Sequence, residues 1–208
     1  MEKKDVLCNV RKYVYEQFSS EPTGHDYYHM KRVAHWAKEI ALDEGADHYT
    51  AELAGWLHDV GDAKLYEDTE AAYRELNDFL TSLEVEEQKR TELLTIIKSV
   101  SFSKGQLPAS HEGKIVQDAD RLDAIGAVGI ARTFAFGGLK SQLIYDEYSD
   151  SLTSIQHFYD KLLKLSDGMY TRRAQIEAKQ RHTFMENYLN QFYSEWNSAE
   201  RAGEHNDK

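Results

Sequence analysis

An all-α fold, built as one helical bundle, is predicted by three features of the 208 residues. Apolar positions recur at helical spacing from end to end, no run alternates β-branched with polar residues, and only two prolines occur, Pro22 and Pro108. The length suffices for one full hydrophobic core, and no Pro-, Gly- or Ser-rich linker divides it. One domain is therefore expected over residues 1–198, with its functional core at about residues 25–135 and C-terminal helices over 151–198. The tail, 199–208, is expected to be disordered.

Taken in order, Leu7, Val10, Val14 and Phe18 make a first helix of about residues 4–19. A loop over 20–25 leads to a helix of about 27–45, ended by Gly45, in which His29 shares the apolar face with Val33, Trp36 and Ile40. Ala51, Ala54 and His58 share a face of a third helix, about 50–60, closed by Gly61. Helices of about 70–82 and 86–101 follow, the latter carried by Leu93, Ile96, Ile97 and Val100, and then a loop over 102–111. Residues 112–136, rich in Gly and Ala, are expected to form one closely packed helix ended by Gly137 and Gly138. The polar, aromatic and acidic stretch 139–150 is expected to be a mobile surface loop or flap. Two last helices, about 151–165 and 171–198, complete the chain. Along the final one, Ala174, Ala178, Arg181, Met185, Tyr188, Phe192 and Trp196 form a stripe suited to the core or to a homodimer contact.

Composition excludes several classes of function. A formal net charge of −11 argues against binding a nucleic-acid polymer or an anionic membrane, which are held by accumulated Lys and Arg charge. A small phosphorylated partner in a locally positive pocket remains compatible with it. Residues 1–20 contain no uninterrupted apolar stretch for a signal peptide or membrane span. The single cysteine, Cys8, leaves no internal disulfide and no Cys-x-x-Cys site, which fits a reducing, cytoplasmic setting.

Candidate chemistry lies at three inward-facing polar positions on three helices: His29, the pair His58-Asp59, and Asp120, which follows Val116 on one face. An imidazole or carboxylate turned toward a core is costly unless something satisfies it. Two imidazoles and two carboxylates suit one divalent metal that touches phosphate oxygens. Taken singly, His29 also fits a hydrogen-bonded core histidine, and Asp120 a buried carboxylate paired with Arg121 or Arg32.

His29 in His-Met-Lys-Arg-Val, His58-Asp59, and Asp120 in Asp-Ala-Asp-Arg-Leu-Asp-Ala-Ile-Gly resemble, in order and spacing, the HD-domain metal-dependent phosphohydrolases. Gly24-His25-Asp26, residues 117–133, and His157-Phe158-Tyr159 through the helix of 181–196 resemble more closely the small stand-alone bacterial branch of the YpgQ and YedJ type. That likeness implies the all-α HD bundle, with His29, His58, Asp59 and Asp120 as metal ligands. It implies one divalent ion, manganese favoured, with magnesium, iron, cobalt, nickel or zinc as alternatives. Its implied activity is hydrolysis of nucleoside or deoxynucleoside triphosphates with release of pyrophosphate. Alternatives are a nucleoside monophosphate phosphatase and a non-catalytic nucleotide-binding module. Asp59 and Asp62 are the expected catalytic carboxylates, Asp62 orienting water or moving its proton; its plain alternative is a solvated carboxylate at a helix end. Lys64, Lys98, Arg32 and His25 are the expected substrate contacts, and Asp123 is expected to orient a ligand. Asp26 fits a helix cap equally well. Only His111 lies between the His-Asp pair and Asp120, where two-metal members carry two further histidines, so a second complete metal site is not expected.

Overall fold

The computed structural model describes residues 1–22, 24–100, 107–148 and 152–198. The expected tail, half of the loop expected over 102–111, the last two residues of the expected flap and the helix start at Ser151 lie outside the described residues. Among these there are nine α-helices and no strand: α1 Lys3–Phe18, α2 Tyr27–Glu44, α3 His48–Leu57, α4 Thr69–Ser82, α5 Glu87–Val100, α6 His111–Asp123, α7 Gly126–Leu139, α8 Ser154–Asp160 and α9 Arg172–Trp196. The fold is thus all-α. No single helix among the described residues is long and apolar enough to cross a membrane.

Helix starts follow side-chain capping, in which a carboxylate or hydroxyl accepts from amides that the helix leaves without a partner. Asp26 Oδ1 accepts from the His29 amide at 2.7 Å, so the residue just ahead of α2 fixes the turn that carries His29. Asp47, Asp68, Ser110, Thr153 and Thr171 cap α3, α4, α6, α8 and α9 in the same way. Gly45 ends α2 with φ +69°, a left-handed conformation that glycine adopts without strain.

At the centre, α2 packs against both α3 and α6. The approach of α2 to α3 depends on Gly55, since a Cβ there would lie 2.7 Å from the Cα of Ala34. Around this triangle α1 and α5 cover α3, while α9 lies across α2, α6 and α7. Asp118, fully buried in α6, ties that helix to the start of α9. Its carboxylate accepts from the amides of Tyr170 and Thr171 and from the Thr171 hydroxyl at 2.8–3.0 Å, exactly where α9 begins.

The structure departs from the expected elements in five places. The helix of His58 ends at Leu57, and residues 58–61 form a turn with Gly61 at φ +81°. The long helix over 112–136 is two helices, α6 and α7, bent by 69° at Ala124-Ile125, with Gly126 at φ +78°. Gly137 and Gly138 lie inside α7, not at its end. The helix expected over 151–165 is the short α8 followed by two 3₁₀ turns, Leu162–Lys164 and Ser166–Gly168. His111, expected in a loop, opens α6. The stretch after α7 is held to the rest of the molecule. Tyr145 packs against Phe192, Tyr193 and Trp196, and the carbonyls of Leu143 and Ile144 accept from the amides of Ser154 and Ile155.

Candidate metal centre

His29 rises from the first turn of α2, His58 and Asp59 from the turn after α3, and Asp120 from the last turn of α6. These three segments meet because α2, α3 and α6 pack together. His29 Nε2 lies 3.2 Å from His58 Nε2, 3.4 Å from an Asp59 oxygen and 3.5 Å from an Asp120 oxygen. His58 Nε2 lies 3.4 Å from Asp59 and 3.7 Å from Asp120. Donors about 2.1 Å from a common ion, at right angles, sit about 3 Å apart, close to this spacing.

The outward nitrogens decide what the inward ones can offer. His29 Nδ1 donates to Asp123 Oδ2 at 2.7 Å, and His58 Nδ1 donates to the Gly55 carbonyl at 2.9 Å. Both partners only accept, so in each neutral ring the proton is on Nδ1 and the lone pair on Nε2. Two buried lone pairs then face each other beside two carboxylates, an arrangement that calls for positive charge at their meeting point. The field there is strong. With no ion bound, a second proton on His29 Nε2 supplies that charge. Burial opposes it, but the hydrogen bonds to Asp123 and Asp59 outweigh burial and push the pKa up to about 9, and a cation would take that proton's place. Burial likewise raises Asp59, yet His58, His25 and His29 hold its carboxyl well below the usual range.

A layer of ion pairs surrounds this group. Asp123, almost fully buried, also receives Arg32 through Nε at 2.5 Å and Nη2 at 3.0 Å, and Arg132 through Nη1 at 2.8 Å. His25 turns inward from the loop before α2 and places Nδ1 2.8 Å from Asp59 Oδ2. Asp62 is buried three residues past Asp59, and one of its oxygens accepts from the Lys64 amide at 2.9 Å.

On the side of Asp120 opens a cleft of about 350 Å³, within the range of small-molecule sites. Its cations are Lys64, Arg121, Arg132 and Lys161, joined by His25 and His157, with Phe136, Leu162 and Leu165 giving an apolar stretch. Burial, Lys64 and Arg132 all depress the Lys161 amine, which Asp120 opposes.

Comparison with known proteins follows this geometry. The family model for the HD domain matches residues 26–125, which include His29, His58, Asp59 and Asp120. YpgQ of Bacillus subtilis is 41% identical over 186 residues, covering 88% of this chain and 89% of the relative. The chain belongs to the HD domain family. Among solved structures, Bacillus subtilis YpgQ in complex with ADP has a TM-score of 0.82 at 36% identity, covering 94% of this chain and 97% of that one. An HD-superfamily hydrolase from Bacillus thuringiensis has a TM-score of 0.80 at 42% identity, covering 95% of this chain and all of the other. Membership in the HD domain family brings divalent-metal binding and hydrolase chemistry to a donor set whose spacing and tautomers fit a cation.

The structure distributes the expected HD-domain site residues unequally. His29, His58, Asp59 and Asp120 come together, with Asp62, His25 and Lys64 beside them. Arg32 points instead at Asp123, and Arg121 donates to the Gly168 carbonyl, so neither is the partner of Asp120. Lys98 does not line the cleft: its ammonium sits 4.5 Å over the Tyr73 ring and 3.7 Å from Glu70. Arg132, His157 and Lys161 had no motif of their own. The sequence signal for them is that residues 117–133 and the stretch from 157 through 196 share the family likeness.

Proposed function

We propose that this chain is a metal-dependent phosphohydrolase acting on nucleoside and deoxynucleoside triphosphates, with release of pyrophosphate. The observation that carries it is the junction of two surfaces: a four-donor cluster with both Nε2 lone pairs turned inward, and a cationic cleft reaching it at Asp120. In a protein of net charge −11 such a cleft is a local exception that suits a compact phosphate ligand. The ADP held by the related YpgQ favours a nucleotide.

His29, His58, Asp59 and Asp120 would hold the ion, for which the mixed imidazole and carboxylate set favours manganese over purely oxygen-bound magnesium. When bound, a divalent ion lowers the pKa of water and polarises a phosphoryl oxygen. Asp123 holds His29 in the required tautomer. Asp62 is positioned by its own turn to accept a proton from water. Lys64 and His25 contact the phosphates, a role that Arg32 and Lys98 reach less directly from their ion pairs. One water is consumed. Its oxygen bonds to the α-phosphorus, the bond to the α–β bridging oxygen breaks, and pyrophosphate leaves with that electron pair. The water's proton passes through Asp62 to solvent, leaving a nucleoside monophosphate. The exposed Cys8 fits a cytoplasmic setting for this reaction.

The test is a panel of nucleoside mono-, di- and triphosphates given to manganese-loaded protein, with pyrophosphate resolved from orthophosphate. Pyrophosphate from triphosphates, lost in Asp120→Ala together with metal binding, is the expected result. Orthophosphate from monophosphates alone would replace this reading with a nucleotidase. No turnover on the panel with bound nucleotide would replace it with a binding module.

A further inference from the structure

The donor cluster and the cleft that meets it come from different parts of the chain. His29, His58, Asp59 and Asp120 all fall within the HD match at residues 26–125, whereas Arg132 and Phe136 on α7 and His157, Lys161, Leu162 and Leu165 beyond it line the cleft from the later part of the chain. The later segment therefore decides what shape of ligand the donor cluster meets.

Three cations converge on the cleft although they repel one another. Lys64 is exposed on the turn after Asp62, Arg132 comes from α7, and Lys161 follows α8 as its C-terminal cap. Lys161 lies within electrostatic reach of Lys64, Arg132 and Asp120 together. Arg132 already commits Nη1 to Asp123. Lys161 is half-buried, and its backbone is fixed by the bond from its amide to the His157 carbonyl at 3.0 Å. A cation held in this way beside others favours an anion of several charges that spans the gap between them.

We propose that Lys161 is a specificity-determining residue for a polyphosphate leaving group: with Lys64 and Arg132 it forms a cationic lining that receives pyrophosphate beside the donor cluster at Asp120. This rests on the phosphohydrolase reading above. It assigns selection between triphosphate and monophosphate to the segment after the HD match. Orthophosphate, with a single phosphoryl group, is assigned to the donor cluster; the second phosphoryl group of pyrophosphate is assigned to Lys161.

Isothermal titration of the metal-loaded full chain with inorganic pyrophosphate, and separately with orthophosphate, tests the assignment. Lys161→Ala should weaken pyrophosphate binding about tenfold or more, the scale of one charge-assisted hydrogen bond, and leave orthophosphate within about twofold. Lys161→Arg should restore most of the loss, and Lys161→Met, which keeps the apolar stem, should behave as Lys161→Ala. Lys164→Ala, on the exposed side of the same 3₁₀ turn, should bind both anions as the parent does. Parent-like pyrophosphate binding by Lys161→Ala and Lys161→Met, or equal weakening for both anions, would overturn the proposal. A chain that binds pyrophosphate through Lys161 yet hydrolyses only monophosphates would overturn the substrate reading and leave the pyrophosphate site in place.

Discussion

Each buried charge at the donor cluster is answered by a named partner, and those partners separate binding from turnover. Asp120 offers an oxygen to the cluster and also faces the cleft, whereas Asp62 lies beside the cluster with one oxygen taken by the Lys64 amide. Asp62→Asn should accordingly leave metal affinity within about twofold and lower kcat by about 10²-fold or more, the usual contribution of a positioned proton acceptor. Metal titration followed by steady-state kinetics on the same sample checks it, and full activity would remove Asp62 from the mechanism. The convergence of His29, His58, Asp59 and Asp120 was legible in the sequence because inward polar residues break an otherwise apolar periodicity. The fates of Arg32 and Lys98 were not. Long basic side chains choose among acidic partners in three dimensions, and here Arg32 lies against Asp123 and Lys98 near Glu70.

At the level of elements, the closeness of α2 and α3 sets the distance between the two imidazoles. Gly55→Ala would drive a Cβ to 2.7 Å from the Ala34 backbone and push the helices apart. The expected cost is about 1–3 kcal/mol of stability, with weaker metal binding from the widened His29–His58 gap; urea unfolding and metal titration measure the two effects. The opposite end of α3 carries a pH signature. Burial raises Asp47, but the Thr50 hydroxyl and amide and Lys89 outweigh it and bring its pKa down to about 2. A depressed carboxyl stabilises the fold above its unfolded value of about 3.9 and loses that contribution as pH falls through about 2. The stability difference between the parent and Asp47→Asn, which keeps a capping side chain, should be largest above pH 4 and shrink toward pH 2 in parallel denaturant titrations. Helices α1 to α5 and α9 were readable from period and caps, whereas the break between α6 and α7 was not. Ala124-Ile125-Gly126-Ala127 continues an apolar helical pattern, and the left-handed Gly126 shows itself only where the chain must turn to pack beneath Arg181, whose Cγ would lie 3.0 Å from a Cβ there.

For the molecule as a whole, a cation at the junction of α2, α3 and α6 ties together the helices on which the rest packs. Metal at about 100 times its Kd should add about 2.7 kcal/mol, raising Tm by roughly 5–10 °C in a chain of this size. Thermal unfolding with manganese and with a chelator checks this, and an unchanged Tm would separate the donor cluster from stability. The carboxylate of Asp118 acts on the same scale without a metal. It sits two residues before Asp120 and takes its hydrogens from the backbone of Tyr170 and Thr171, which precede the first turn of α9. Amides at such a junction ordinarily trade their protons with solvent within moments, yet these two can do so only when α6 and α9 separate. In deuterated buffer they should therefore label as slowly as the helix interiors, reporting the opening of the molecule from two positions that belong to no helix.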